Sequence, residues 1–489
     1  MKDPFLVDVF DPGDPANPLN WSRGLRWFYT AVSCVLVLSA TCSSAAPSNL
    51  LDAIRAEFSF SDEVGSLVVA MFVAGYCVGP LLWGPLSEQF GRRPIFLLTF
   101  LSYTGFQIGC ALAPNIALLI LFRFLSGVFA AAPLTNSGAV TADLWEPATR
   151  SKAMTLFSAA PFGGPALGPI VAGWIAVSGA DWRWLFWALA MFSGVCLLLV
   201  LLCLPETYAP VLLARKAARI RKDTGDARYR APLETSSAPL AQRANRVLAT
   251  PFRVLFREPV LIALTIYMSF VYGCLYITFE AYPIVFSRDH HLNAGVSGLM
   301  FIPVGAGGVL GCLSFLALYK YAPHAPPETH LSAARVGAPL YAASFFWFGW
   351  TSFSSISFWA PMMAGGLLGF GTALIFLSLV NYIVDMYLFV AASALAAVTV
   401  SRSIFAAVFP LFATRMFTAL TPRWAATVLG CVALLMVPIP FVLVRYGPYL
   451  RSRSRFAPPR APVRNEEKGR KEGTAQSSGG DGVGSVDVR

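Results

Sequence analysis

Two charged residues lie within long apolar segments of this sequence, where a charge must bind a partner or water. Arg123 falls inside the apolar segment 116–140, and Glu280 lies at the end of the segment 259–280. An ionised side chain at that depth costs several kcal/mol unless it faces such a partner. A carboxylate at the position of Glu280 can bind a cation or carry a proton. Arg123 also has a structural interpretation, in which it donates to backbone carbonyls and holds helices together.

Three further charged residues are candidate gate residues: Arg183, Asp385 and Arg402. Asp385 and Arg402 bracket the eleventh apolar segment, so they can pair and close one end of a path. Alternatively, Asp385 is only an exposed loop acid. Glu280 likewise has a second interpretation, as a carboxylate at a loop edge that pairs with Arg183 or Arg288.

A polar, glycine-rich turn lies between two apolar runs that are each long enough to cross a bilayer. It reads Gly84-Pro85-Leu86-Ser87-Glu88-Gln89-Phe90-Gly91-Arg92-Arg93. Gly84 and Gly91 allow a tight reversal of the chain. Glu88 can pair with Arg92 and Arg93, or these charges can cap neighbouring helix ends. We expect this turn to form a polar latch that favours one conformation.

Apolar helices must position all of these residues. The chain has 489 residues, of which 56% are hydrophobic and 13% charged, more than a soluble protein can bury. About 20 apolar residues cross the hydrocarbon layer of a membrane, and by that measure the sequence contains about twelve such segments. The fold class is therefore an all-α membrane protein with twelve transmembrane helices.

A basic stretch divides these helices into two groups of six. Residues 207–258 carry eleven Lys or Arg against four acidic residues, a net charge of +7. A loop that faces anionic lipid explains this charge without a nucleic-acid partner. Lys and Arg elsewhere fall in loops of the same parity, which predicts cytosolic termini. The predicted units are a cytosolic segment 1–25, a first half 26–206, a basic linker 207–258, a second half 259–446 and a disordered tail 447–489.

The sequence offers no pattern for enzymatic or metal chemistry. The nine cysteines occur mostly singly within apolar segments, without C-x-x-C pairs or histidines at ligand spacing. The phosphate-binding pattern G-x-x-x-x-G-K-S/T is also absent from the sequence. We therefore expect no cofactor and no metal, and an ion gradient as the energy source. One proton crossing roughly one pH unit and about 100 mV supplies about 4 kcal/mol.

Three motifs resemble those of the major facilitator superfamily. The turn 84–93 resembles its loop signature G-x-L-a-D-r-x-G-r-R/K, with Glu88 in place of the usual Asp. Arg123 and Gly127 resemble an R-x-x-x-G element whose arginine is implicated in proton coupling. The stretch 160–173 is similar to the antiporter motif G-x-x-x-G-P-x-x-G-G, and this match implies a hinge. The hinge residues are Gly164, Pro165, Gly168 and Pro169, the last of which replaces a glycine.

The resemblance extends over nearly the whole chain to the fungal twelve-span drug:proton antiporters, especially the polyamine transporter branch. It is carried by runs such as Asn17-Pro18-Leu19-Asn20-Trp21 and Leu204-Pro205-Glu206-Thr207-Tyr208. It implies two pseudo-symmetric halves that rock about a central site, proton-coupled export of small amphipathic molecules, a monomer and the plasma membrane. The alternatives are an importer or facilitator of polyamines or nutrients on the same fold, and a solute receptor that does not transport.

Overall fold

Long helices make up most of the chain. The computed structural model describes residues 5–235, 240–320, 327–388, 390–454 and 456. Within these ranges there is no β-strand, only one isolated bridge between Leu6 and Arg230. The predicted tail 447–489 lies outside the described residues from 457 onward, but its first residues belong to a helix that ends at Arg453.

The first half consists of six long helices and one short one. These are α1 (Arg23–Ala45), α2 (Leu51–Phe58), α3 (Asp62–Phe90), α4 (Arg92–Ala111), α5 (Ile116–Leu144), α6 (Pro147–Val177) and α7 (Arg183–Leu202). Asn115 begins α5 as a helix cap, because its side chain accepts a hydrogen bond from the Leu118 backbone N–H at 2.9 Å.

The linker is helical rather than extended. It contains α8 (Ala209–Thr224), α9 (Pro232–Thr235) and α10 (Leu240–Arg257). The first of these includes the basic stretch 214–222 of the predicted linker. Gly225, with φ of 71°, ends α8 in the left-handed conformation that glycine adopts without strain.

The second half contains α11 (Pro259–Tyr282), α12 (Ala294–Leu299), α13 (Ile302–Lys320), α14 (Leu331–Thr351), α15 (Trp359–Met386), α16 (Ala391–Met436) and α17 (Pro438–Arg453). A π-helical turn, Pro283–Asp289, continues α11. Ten stretches of the described chain are long and apolar enough to cross a membrane, and one of them is the stretch 391–453.

The stretch 391–453 reverses direction in the middle. Thr421 has φ 65° and ψ 156°, which breaks α16 into two arms. Beyond it, a Cβ on Gly349 at the end of α14 would lie 3.0 Å from the Arg423 carbonyl. Further on, a Cβ on Gly447 would lie 3.0 Å from the side chain of Glu328, which precedes α14. The second arm therefore runs antiparallel to α14, and the count of twelve membrane helices stays a prediction.

The N-terminal segment is bound to the linker on one side of the molecule. The Lys216 ammonium lies 2.6 Å from an Asp11 carboxylate oxygen and 2.7 Å from one of Asp14. Hydrogen bonding to Asp11 and Asp14 raises the pKa of Lys216, and the bond from Lys216 lowers the pKa of Asp14. The stabilisation linked to the lowered pKa of Asp14 is lost only when the carboxylate is protonated at acidic pH. The stabilisation linked to the raised pKa of Lys216 is lost only when the ammonium is deprotonated at alkaline pH. The contact therefore persists through the neutral range. We call this side of the molecule the linker side.

Candidate functional site

Two cavities lie between the halves, one on each side of the molecule. The linker-side cavity has a volume of about 490 Å³ and is lined by α3, α5, α11 and α16. Tyr76, Glu88, Tyr272 and Arg402 are among its wall residues. The far-side cavity has a volume of about 510 Å³ and is lined by residues that include Asp52 and Glu280.

Arg123 lies in the core of the first half. It is fully buried, and its Nε donates to the Val68 carbonyl at 2.8 Å. Its two terminal nitrogens donate to the Ser43 and Ser44 carbonyls at 2.9 and 3.3 Å. Its guanidinium carbon lies 4.3 Å from the centre of the Phe72 ring. These contacts hold α1, α3 and α5 together, as expected if Arg123 has a structural role.

Buried tyrosines surround this arginine, and the sequence analysis did not identify them. The Tyr276 hydroxyl, on α11 of the second half, donates to the Ser44 hydroxyl on α1 at 3.0 Å. The Tyr76 hydroxyl donates to the Ala40 carbonyl at 2.9 Å. Tyr103 is hydrogen-bonded to the Ser43 hydroxyl. Each is at most 2% exposed, so a polar layer with a direct bond between the halves lies among the helices. The sequence signal that could have identified these residues is the presence of tyrosines inside the predicted membrane segments.

Glu280 lies at the wall of the far-side cavity and is only 7% exposed. One carboxylate oxygen accepts a hydrogen bond from the Thr414 hydroxyl at 3.3 Å, and the other has no partner in the described chain. The structure does not pair Glu280 with Arg288, which lies 3.9 Å from Asp289. A buried carboxylate with an open oxygen beside a cavity can bind a proton or a cation.

Arg183 belongs to the first half alone. Its guanidinium lies 2.7 Å from a Glu57 carboxylate oxygen and 3.4 Å from one of Asp181. The Trp182 indole N–H also donates to Glu57 at 2.7 Å. All of these residues lie in α7, in α2 or next to them, so the contact cannot hold the two halves together. Arg183 is neither the partner of Glu280 nor a gate between the halves in this structure.

The structure does not bring Asp385 and Arg402 together, although the sequence predicts that they can pair. An Asp385 carboxylate oxygen lies 2.9 Å from Nε2 of His330. The Arg402 guanidinium lies 4.8 Å from the centre of the Tyr272 ring and 5.6 Å from that of Phe376. The two residues do not pair because they lie at different depths: Asp385 is at the end of α15, whereas Arg402 is eleven residues inside α16.

The reversal between α3 and α4 occurs at Gly91 and is bound by Glu206, a residue of the run that follows α7. A Glu206 oxygen accepts hydrogen bonds from the Arg92 backbone N–H at 2.9 Å, and the second oxygen accepts one from the Arg93 backbone N–H at 3.3 Å. Glu206 is 4% exposed. A carboxylate at a helix N-terminus satisfies free N–H groups and complements the helix dipole. Gly84 lies inside α3 and is not part of the reversal.

The side chains of the predicted latch have different partners from those expected. The Arg92 guanidinium donates to the Ser87 hydroxyl and lies 3.6 Å from an Asp143 carboxylate oxygen. The Arg93 guanidinium donates to a backbone carbonyl at 2.8 Å. Glu88 is exposed at the linker-side cavity and forms no ion pair with either arginine. The acid that binds Arg92 comes from the end of α5, because α5 packs against α4.

The predicted hinge is an unbroken part of α6 that packs against α1. A Cβ on Gly164 would lie 1.9 Å from the Thr41 hydroxyl oxygen, and one on Gly168 would lie 2.4 Å from the Cys42 carbonyl oxygen. Pro165 and Pro169 lie within this helix. The same helix also packs against α12 of the second half, where a Cβ on Gly298 would lie 2.6 Å from the carbonyl oxygen of residue 169.

The described residues contain no group of three or more His, Cys, Asp or Glu that could hold a metal ion. All nine cysteines are free thiols. The arrangement offers two cavities, a buried polar layer between helices and one open carboxylate, which together suit the passage and binding of a solute.

Comparison with known proteins gives consistent results. The family model described as Major Facilitator Superfamily matches residues 32–387. The chain is 40% identical over 470 residues to the major facilitator superfamily multidrug transporter mdrA of Aspergillus fumigatus, covering 93% of this chain and 76% of that protein. It is 40% identical to the MFS-type efflux pump MFS2 of Trichophyton rubrum, with 93% and 78% covered.

A further relative is the citrinin biosynthesis cluster MFS transporter mrr1 of Monascus ruber, which is 38% identical, with 93% of each chain covered. Among solved structures, the inward open conformation of the xylose transporter XylE from E. coli has a TM-score of 0.64 at 15% identity, covering 90% of this chain and 98% of that one. This structural likeness shows a shared fold.

Proposed function

Because this chain belongs to the major facilitator superfamily, we propose that it is a proton-coupled antiporter that exports small amphipathic molecules. It is a multi-pass membrane transporter and not an enzyme. Its relatives are named as multidrug transporters, efflux pumps and a transporter of a biosynthesis cluster. Drugs, toxins or a secondary metabolite are therefore the proposed cargo.

The observation that carries this proposal is the pair of cavities on opposite sides of the buried polar layer. Transport by alternating access needs a site that opens to one side at a time. In the proposed orientation the linker side is cytosolic, as are both termini, and the membrane is the plasma membrane. Solute enters the linker-side cavity from the cytosol, and protons enter the far-side cavity from outside. The protein acts as a monomer in this scheme.

Glu280 is the proposed proton site. It is buried, it lines the far-side cavity, and one of its carboxylate oxygens is unpartnered in the described chain. Protonation removes the charge that would otherwise be costly at that depth. Arg123 contributes to coupling by holding α1 against α3 and α5, since α1 carries the Ser44 hydroxyl that binds Tyr276 of the other half.

Efflux of a neutral dye tests the proposal. Cells that express the chain are loaded with Nile red, and efflux is followed with and without a protonophore. We expect efflux that the protonophore abolishes, that Glu280→Gln reduces at least tenfold, and that Asp52→Asn leaves near wild type. Asp52 is the matched control because it is an exposed carboxylate on the same cavity.

Inward or gradient-independent flux would contradict the antiporter and favour the facilitator. A Glu280→Gln variant that keeps the wild-type pH dependence would contradict the proton site alone. Counterflow of dye in reconstituted vesicles would exclude a receptor that does not transport.

A further inference from the structure

Arg402 is a partly buried arginine inside a membrane helix. It lies eleven residues after the start of α16 at Ala391, which places it about 16 Å along the helix. Among the residues that the structure describes, it makes no ion pair or hydrogen bond, and its Nε is buried without a partner. Its only contacts of note are the Tyr272 and Phe376 rings.

Arg402 is only partly buried, whereas the two arginines that are buried in the described chain, Arg123 and Arg92, have acceptors for their terminal nitrogens. Arg123 donates to three backbone carbonyls. Arg92 contacts Asp143 and Ser87. Because an unpaired charge at that depth is costly, an unpaired arginine on a cavity wall indicates a site whose partner is absent from the protein itself. Arg402 meets this description.

The cavity around Arg402 is suited to an anion with a ring. Tyr76 and Tyr272 contribute aromatic surface beside the guanidinium, and Ser403 adds a polar side chain. Glu88 is the one acidic residue among the described residues of this wall. It lies twelve positions beyond Tyr76 on α3, a separation of about 18 Å by helical rise. Glu88 therefore lies far along α3 from Tyr76, and no ion pair joins it to Arg402 in the described chain.

We infer that Arg402 binds the anionic group of an amphipathic solute, so that the exported class includes aromatic carboxylates. The carboxylate would take the open donors of the guanidinium, and the ring would pack against the tyrosines of the cavity. This inference rests on the proposed function and names a substrate class for the same path.

Thermal unfolding of the purified full-length protein tests this inference with a matched pair of probes. 2-Naphthoate and 2-naphthamide differ in charge but hardly in shape. A ligand that binds only the folded protein raises the midpoint of unfolding. We expect 2-naphthoate to give an apparent affinity roughly tenfold or more above that of 2-naphthamide, as for a charge-assisted hydrogen bond.

Three variants locate the effect. Arg402→Gln should abolish the preference for the anion, and Arg402→Lys should retain part of it. Arg423→Gln is the matched control, because Arg423 lies on the same stretch of helix and stacks on Trp350 and Trp424 away from this cavity. It should keep the full preference.

The outcomes separate the inference from the proposed function. Equal stabilisation by both probes, no stabilisation by either, or a preference that survives in Arg402→Gln would overturn the inference. Nile red efflux, measured in parallel, shows whether the antiporter stands. The midpoint of unfolding measured without a probe shows whether Arg402→Gln is folded. Absence of protonophore-sensitive efflux in the wild type would overturn the proposed function itself.

Discussion

Single residues at the turn between α3 and α4 show how strongly one position can be constrained. Gly91 has φ of 100°, a conformation that L-residues with a side chain rarely adopt. A Cβ there would also lie 2.2 Å from a Glu206 carboxylate oxygen. Gly84 is helical, and the nearest atom to its Cβ would be a Thr135 methyl carbon at 3.6 Å, an ordinary contact. The two glycines of the motif are therefore constrained differently. The backbone conformation and the contact with Glu206 require a glycine at position 91, and neither constraint applies to Gly84.

We predict that Gly91→Ala is destabilising and that Gly84→Ala is tolerated. The conformation of Gly91, with φ 100° and ψ 162°, costs a residue with a Cβ about 1–3 kcal/mol, and displacement of Glu206 frees the N–H groups at the start of α4. The measurement is the amount of folded protein after detergent extraction, followed by dye efflux. Equal yields of the two variants would show that Gly91 is not held by Glu206 in the membrane.

The sequence could locate this turn but not its partner. The motif at 84–93 predicts a polar reversal at a membrane surface. In the structure the chain reverses at Gly91, directly before Arg92 and Arg93. The carboxylate that caps α4 comes from Glu206, more than a hundred residues further along the chain. The sequence analysis used Glu206 only as part of a resembling run. A single sequence does not show which distant acid approaches a given turn, because that depends on how α4 packs against α7.

Helices in this protein approach closely where glycines face a neighbouring backbone. Gly164 and Gly168 on α6 leave no room for a Cβ beside α1. The sequence analysis predicted a hinge at these residues. The structure shows that α6 approaches α1 closely at these glycines, because they have no side chain. Helix α6 is continuous in the structure, so the bending of this segment remains a proposal.

We predict that Gly164→Ala lowers the thermal stability of the purified protein, while Gly105→Ala does not. The new methyl group at 164 would overlap the Thr41 hydroxyl and the Cys42 backbone. Such overpacking typically costs about 1–3 kcal/mol. A Cβ at Gly105 would meet no atom within 4 Å, and alanine favours the helix. A midpoint of unfolding for Gly164→Ala equal to that of the wild type would show that α1 and α6 adjust freely.

At the scale of the whole molecule, the composition of the sequence was sufficient to predict the fold. It was not sufficient to predict the path that a solute takes between the helices. Runs of apolar residues predict membrane helices because a bilayer demands their length. The boundaries were less certain: Thr421 divides one continuous helical stretch, and α17 continues past residue 446 to Arg453. The contacts of single charged residues could not be judged from the sequence: Arg123 donates to backbone carbonyls, whereas Arg402 does not pair with Asp385 as predicted.

The two halves also meet through charged residues on the far side. Arg415 on α16 is paired with Glu63 on α3, and both side chains are partly exposed. Asn49 donates to the carbonyl of residue 169 at 3.1 Å nearby, within the first half. In the proposed cycle the far side must open to release solute and admit protons, so the pair between Arg415 and Glu63 has to break once in each turnover.

Charge reversal at this pair should therefore change the transport rate, and restoring the pair should recover it. Arg415→Glu places two carboxylates together, and we predict a change of at most about fivefold in the initial rate of dye efflux, since an exposed ion pair is weak. The double variant Glu63→Arg with Arg415→Glu should return toward the wild-type rate. Because salt screens exposed charges, the effect should be smaller in about 0.5 M salt. A double variant no better than the single one, at both salt concentrations, would show that the pair does not hold the far side closed.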